Sequence, residues 1–148
     1  MVPVTFLQVD LDRDLSFGRL LKSMLEAGWL ASRADGIGAI LCDLDGTYEW
    51  LYRRESELAS LRAQLQNRFS EGWTVGVVLW WRDPPNVSVN LVLRPHGHIS
   101  FMIGAERKEL NELPELADAS WYLSRLLPAL TRVDREASIL NVQWSEVW

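Results

Sequence analysis

Apolar positions along this chain switch between a period near 3.6 residues and a period of 2, and the switches outline its elements. Val2 to Asp10 is rich in β-branched and apolar residues and predicts a first strand. Phe17, Leu20, Leu21, Met24 and Leu25 then fall on one helical face, with Asp14 the expected N-cap and Gly28 the stop. The apolar run Gly36 to Leu44 meets strand-like Thr47 to Tyr52 across Asp45-Gly46, a dipeptide suited to turns with positive φ at both central residues. Leu58, Leu61, Leu65 and Phe69 mark a second helix from about Arg54 to Phe69, ended by Gly72.

The clearest period of 2 follows. Trp73 to Trp81 reads as a strand and Arg82-Asp83-Pro84-Pro85-Asn86 as a turn. Val87, Val89, Leu91 and Leu93 then alternate with Ser88, Asn90, Val92 and Arg94, and Ile99, Phe101 and Ile103 alternate again beyond Pro95-His96-Gly97. Turns this short join antiparallel neighbours, because parallel strands need a crossover of a dozen residues or more. After a charged, irregular stretch from 104 to 117, Asp118 opens a third helix carrying Trp121, Leu126, Leu127 and Leu130, which Pro128 should kink or shorten. Ser138 to Trp144 is a last strand. The order predicts an α+β fold, a mostly antiparallel sheet with three helices packed mainly on one face.

Length and composition narrow the picture. The chain has 148 residues, 48% apolar and 24% charged, which suits one globular domain over 1–148 with a core that needs neither metal nor disulfide. No run of eighteen apolar residues occurs, and the N-terminus has no charged segment leading into an apolar one. The single Cys42 excludes an internal disulfide and suits a reducing compartment, so the expected location is cytoplasmic. Fifteen basic against twenty acidic residues give 15 − 20 = −5, a balance that argues against nucleic acid and is compatible with a basic protein partner. Eight tryptophans are too many for a chain of this size to bury fully, so some should be partly exposed.

Candidate chemistry begins with Ala39-Ile-Leu-Cys-Asp43-Leu-Asp45-Gly46-Thr47. This run resembles the first motif of the haloacid dehalogenase phosphatases, an apolar strand followed by Asp-x-Asp-Gly-Thr. The resemblance implies Asp43 as nucleophile, Asp45 as general acid and base, and Mg²⁺ beside them. It ends after about nine residues, since a hairpin and a meander follow where that family has parallel strands joined by helices. His96 and His98 form the one histidine pair, yet a Zn²⁺ site needs three or four protein ligands and no third histidine exists. Cys42 lies in an apolar strand and reads as a small buried residue. No Gly-x-Ser-x-Gly elbow or phosphate-binding glycine loop occurs. No metal, cofactor or catalytic residue is expected.

Three features suit binding better. Trp80-Trp81-Arg82-Asp83 ends a strand, where one tryptophan should face the core and the other outward. Asp43, Asp45 and Glu49 ring the first hairpin, and Glu106, Glu109, Glu112, Glu115 and Asp118 recur every three residues. Together with Trp144 to Trp148 and the absence of a reaction centre, these features resemble the immunity proteins of bacterial polymorphic toxin systems. That resemblance implies a non-catalytic protein that binds and neutralises one cognate toxin domain through Asp43, Asp45, Glu49, Trp80, Trp81, Arg82 and Asp83, with no nucleic acid or membrane partner. Two alternatives stay open: a small Mg²⁺-dependent phosphatase built on Asp43 and Asp45, and a regulatory domain holding a small ligand in an aromatic pocket.

Overall fold

The structure is a computed structural model that describes residues 3–47, 49–83, 86–104, 106–114 and 116–147. Its elements run β1 (Val4–Leu11), α1 (Phe17–Ala27), β2 (Trp29–Leu30), β3 (Ile37–Asp43), β4 (Trp50–Arg54), α2 (Glu55–Ser70), β5 (Thr74–Trp81), β6 (Ser88–Arg94), β7 (His98–Ile103), α3 (Ala119–Thr131) and β8 (Ile139–Val147). The strands form one eight-stranded sheet in the order β4-β3-β5-β6-β7-β1-β8, with β2 pairing the far end of β5. Every described pair is antiparallel, so the protein is α+β.

Register decides which face is which. Leu7 pairs Phe101, Phe101 pairs Leu91, Leu91 pairs Val77 and Val77 pairs Ile40, and cross-strand partners share a face. That row lies in one core cluster with Phe17, Leu20 and Met24 of α1, Leu58, Leu65 and Phe69 of α2, and Tyr122, Leu126 and Leu130 of α3. All three helices therefore cover the same face. The opposite face is free of helices and carries a satellite cluster of Ala39, Val78 and Trp80, with Trp50 against it.

Several ends differ from the sequence expectation. Ser16 caps α1, its Oγ accepting the Arg19 N–H at 3.3 Å, while Asp14 Oδ1 instead accepts the Gly97 N–H at 2.8 Å. The Asp45-Gly46 hairpin is a longer loop in which Gly46 is left-handed (φ 86°) and Asp45 is not. Two successive left-handed residues occur instead at His96 (φ 71°) and Gly97 (φ 77°), between β6 and β7. Gly72 closes α2 as expected, with Gly72 N–H on the Phe69 carbonyl and Trp73 N–H on that of Arg68. α3 runs on through Pro128 to Thr131.

Candidate functional site

β5 separates the residues that the sequence grouped as one site. Asp43 pairs with Thr74 at the start of β5, whereas Trp80 and Trp81 close it. At about 3.3 Å per residue the two clusters lie roughly 23 Å apart, at opposite ends of the sheet. The acidic hairpin and the tryptophan pair are thus two surfaces.

At the first end, Asp43 is buried, and its Oδ1 accepts the backbone N–H groups of Asp45 (3.1 Å), Gly46 (2.8 Å) and Thr47 (3.1 Å). Asp45 Oδ1 accepts the Thr47 N–H as well, at 3.1 Å. The Asp-x-Asp-Gly-Thr spacing therefore builds the loop. The neighbours of β3 are both antiparallel, unlike the phosphatase pattern. Three amide hydrogens take up this Asp43 oxygen, which makes it a poor ligand for a cation. Among the described residues no three His, Cys, Asp or Glu side chains gather to hold a metal. Of the acidic trio only Asp45 and Glu49 remain exposed.

At the second end both faces of the sheet are covered. Trp80 points to the helix-free face and is only 3% exposed, packed on Ala39, Val78 and Trp50. Trp81 points to the helix face, half-buried, in a chain of edge-to-face rings. Its centroid lies 5.0 Å from Trp29 and 5.6 Å from Trp121, and Trp121 is 4.9 Å from Tyr122. The Arg125 guanidinium sits 4.2 Å from the Trp121 ring and 5.3 Å from Trp81, and its Nε has no hydrogen-bond partner, so the ring faces stand in for an acceptor. The outward tryptophan anchor expected from strand alternation is absent at Trp80-Trp81. Arg82 and Asp83 are exposed beyond it.

The charged segment after β7 is fastened to this second end. The Ser88 N–H donates to the Glu106 carbonyl at 2.9 Å, and the Lys108 N–H donates to the Tyr122 hydroxyl at 2.7 Å. Burial pushes Tyr122 up to about 12. Arg107 is buried, donating to the carbonyls of Gly104 at 2.7 Å and Pro3. With the backbone so held, Glu106, Glu109 and Glu112 are exposed. Asp118 instead caps α3 by accepting the Trp121 N–H at 3.2 Å, and Glu115 and Trp148 fall outside the described residues.

Two cavities flank Trp80. A cleft of about 730 Å³ opens beside β2, walled by Leu25, Trp29, Leu30, Trp80, Arg62 and Arg82. Another, of about 230 Å³, lies on the helix-free face between Arg33, Tyr52, Trp80, Asn90 and Glu106. The Trp80 ring lines both, and its Nε1–H is buried without a hydrogen-bond partner. Sequence reasoning missed this cleft because β2 spans two residues, too few to show a period. An available signal was the apolar Trp29-Leu30 directly after the Gly28 stop.

The remaining nucleophile and histidine candidates are separated. His98 Nδ1 lies 2.8 Å from Asp10 Oδ1, and that hydrogen bond holds the Asp10 carboxyl below its usual range. His96 stands in the β6–β7 turn. Cys42 is exposed, contrary to the buried position expected, and desolvation pushes its thiol up, away from the reactive thiolate. Among the described residues no helix is long and apolar enough to cross a membrane. Comparison with family models, curated proteins and solved structures returns no match.

Proposed function

We propose that this chain is a non-catalytic protein-binding module that neutralises a cognate toxin domain, in the manner of the bacterial immunity proteins it resembles. The observation that supports binding is the Ser88-to-Glu106 hydrogen bond, which holds the acidic segment against the β5–β6 turn. Asp83, Glu106, Glu109 and Glu112 thereby stand exposed at one end of the sheet, in a chain of charge −5. A toxin with a basic substrate cleft meets carboxylates there in place of phosphates, and complementary charge speeds encounter with such a partner. Asp45 and Glu49 form a lesser acidic surface at the other end.

The test is capture of proteins from the native organism's lysate on the tagged chain, followed by co-expression of whatever binds. The expected result is one stoichiometric basic partner whose toxicity the chain suppresses. Changing Glu106, Glu109 and Glu112 together to Lys should abolish both effects. No such partner, or capture and rescue that survive the triple change, overturns the reading.

A second reading, binding of a small ligand, is favoured by the cleft of about 730 Å³ that Trp29, Leu30 and Trp80 line. A volume of this size with apolar walls and few polar groups is what drug-sized ligands occupy. Arg82 in the wall favours an anionic ligand, since Arg62 pairs with Glu55 of the same wall and Arg33 with Asp35. Saturable quenching of tryptophan fluorescence by aromatic carboxylates, lost in Arg82→Glu, supports this reading, and absence of quenching removes it.

A further inference from the structure

Trp80 also walls the smaller hollow, of about 230 Å³, on the helix-free face. Register sets the residues of this hollow side by side. Tyr52 pairs Ala39, Val78 pairs Asn90 and Trp80 pairs Ser88, and cross-strand partners share a face. Ala39 lies between Tyr52 and Val78 in the sheet and is small, so the larger side chains bound a space instead of filling it. Val78 and the Trp80 ring give it an apolar floor, and the Tyr52 ring, 50% exposed, stands at one side. The polar groups of the wall are uncommitted. The Tyr52 and Ser88 hydroxyls, the Asn90 amide and the Glu106 carboxylate make no side-chain hydrogen bond or ion pair with another described residue. Arg33 in the same wall is held by Asp35 at 3.0 Å.

We infer that this hollow binds one uncharged sugar ring. At about 30 Å³ per water the space holds roughly eight waters, the bulk of a single pyranose with its hydroxyls, and it is smaller than the pockets of drug-sized ligands. The donor and acceptor set selects the chemical class. Tyr52, Ser88 and Asn90 each offer both a donor and an acceptor, and Glu106 offers acceptors alone. An anion would meet the Glu106 carboxylate, with Arg33 already held by Asp35. A small ammonium ion would satisfy Glu106 yet leave the Asn90 Nδ2 donors and the hydroxyl hydrogens unmatched, and it would face the Arg33 guanidinium. Each sugar hydroxyl both donates and accepts, so successive hydroxyls match the mixed set, and two neighbouring ones can donate to the two Glu106 oxygens. The C–H face of the ring is apolar and suits the Tyr52 ring and the floor of Val78 and Trp80. Each of these hydrogen bonds replaces one to water, so the net affinity is modest, on the order of 1 mM.

The test is an amide NMR titration of the full chain with glucose, galactose, mannose and N-acetylglucosamine in turn, with ethylammonium and acetate as charged controls. The expected result is saturable movement of the Ser88, Asn90 and Gly104 amide signals with at least one sugar, at a dissociation constant on the order of 1 mM, and none with either control. Tyr52→Ala and Glu106→Ala change exposed side chains and should keep the circular dichroism of the folded chain. Each should weaken sugar binding about tenfold. Arg82→Glu should leave sugar binding unchanged, which separates this hollow from the cleft beside β2. Absence of saturable movement with every sugar overturns the inference. So does ethylammonium or acetate moving the same amides, sugar binding that persists undiminished in both variants, or its loss in Arg82→Glu. None of these results depends on the toxin-binding reading.

Discussion

Gly97 meets two demands that no other residue satisfies. Its φ of +77° is left-handed, and a Cβ would lie 2.3 Å from the Leu11 carbonyl oxygen, backbone that cannot swing away. Leu11 N–H donates to the Gly97 carbonyl at 2.8 Å, so the turn is pinned to the end of β1. Gly97→Ala should destabilise by about 2–4 kcal/mol, combining left-handed strain with a steric shift, read from the urea midpoint. Asp43 is the second such residue. Asp43→Ala leaves three loop amides without their acceptor and should cost about 1–3 kcal/mol. Asp43→Asn keeps the oxygen and should cost less. Equal losses in thermal unfolding experiments would refute the loop-building role. Tyr122 gives a pH dependence with a definite sign. Its hydroxyl is pushed up to about 12 by burial from an ordinary value of 10, so the folded state resists ionisation that the unfolded chain accepts. Stability from this group is full below pH 10 and is lost as pH rises toward 12, by about 2–3 kcal/mol at roughly 1.36 per unit. Tyrosinate absorbance should rise together with unfolding there, and Tyr122→Phe should remove this alkaline step.

Among the elements, α3 shows how tertiary packing overrides a local preference. Proline in a helix interior is about 3 kcal/mol worse than alanine, yet α3 continues past Pro128 because Leu126, Ala129 and Leu130 bury on either side of it. Pro128 itself is exposed. Pro128→Ala therefore restores a helical N–H without disturbing the core and should raise stability by about 1–2 kcal/mol, seen as a higher thermal midpoint. A fall would mean that the proline positions the turn after the helix. The long elements were legible because each rests on its own residues: the α2 face of Leu58, Leu65 and Phe69, and the alternation of Val87 to Arg94. β2 was not, since two residues carry no period and only pairing with Trp80 and Trp81 makes them a strand. The α1 cap was misplaced for a related reason. Asp14 is a good cap by type, but the β6–β7 turn recruits its carboxylate and leaves the cap to Ser16.

Across the whole molecule, the first strand lies between the last strand and β7, so sheet and core close only when both chain ends are in place. One core cluster takes residues from all three helices and from six of the eight strands, with Trp144 of β8 packed against it. Unfolding should accordingly be a single cooperative step, with tryptophan fluorescence and far-ultraviolet circular dichroism falling together in urea. A separate early loss of either signal would show that part of the sheet opens alone. The grouping of Asp43 and Trp80 into one surface failed at this scale. Both lie where the sequence says, at the end of one strand and the end of another, but β3 and β5 run antiparallel and put those ends far apart.

What the sequence determined by itself is the α+β class, the three helices and seven of the eight strands, because helical and strand periods depend on residues only a few positions apart. It also determined the negative charge. Tertiary structure alone decided which carboxylates face solvent, that Trp80 and Trp81 are covered, that a cleft opens beside β2 and that β8 borders the sheet. Each of those depends on register and on partners dozens of residues away, and a local pattern carries no record of which distant strand will lie alongside.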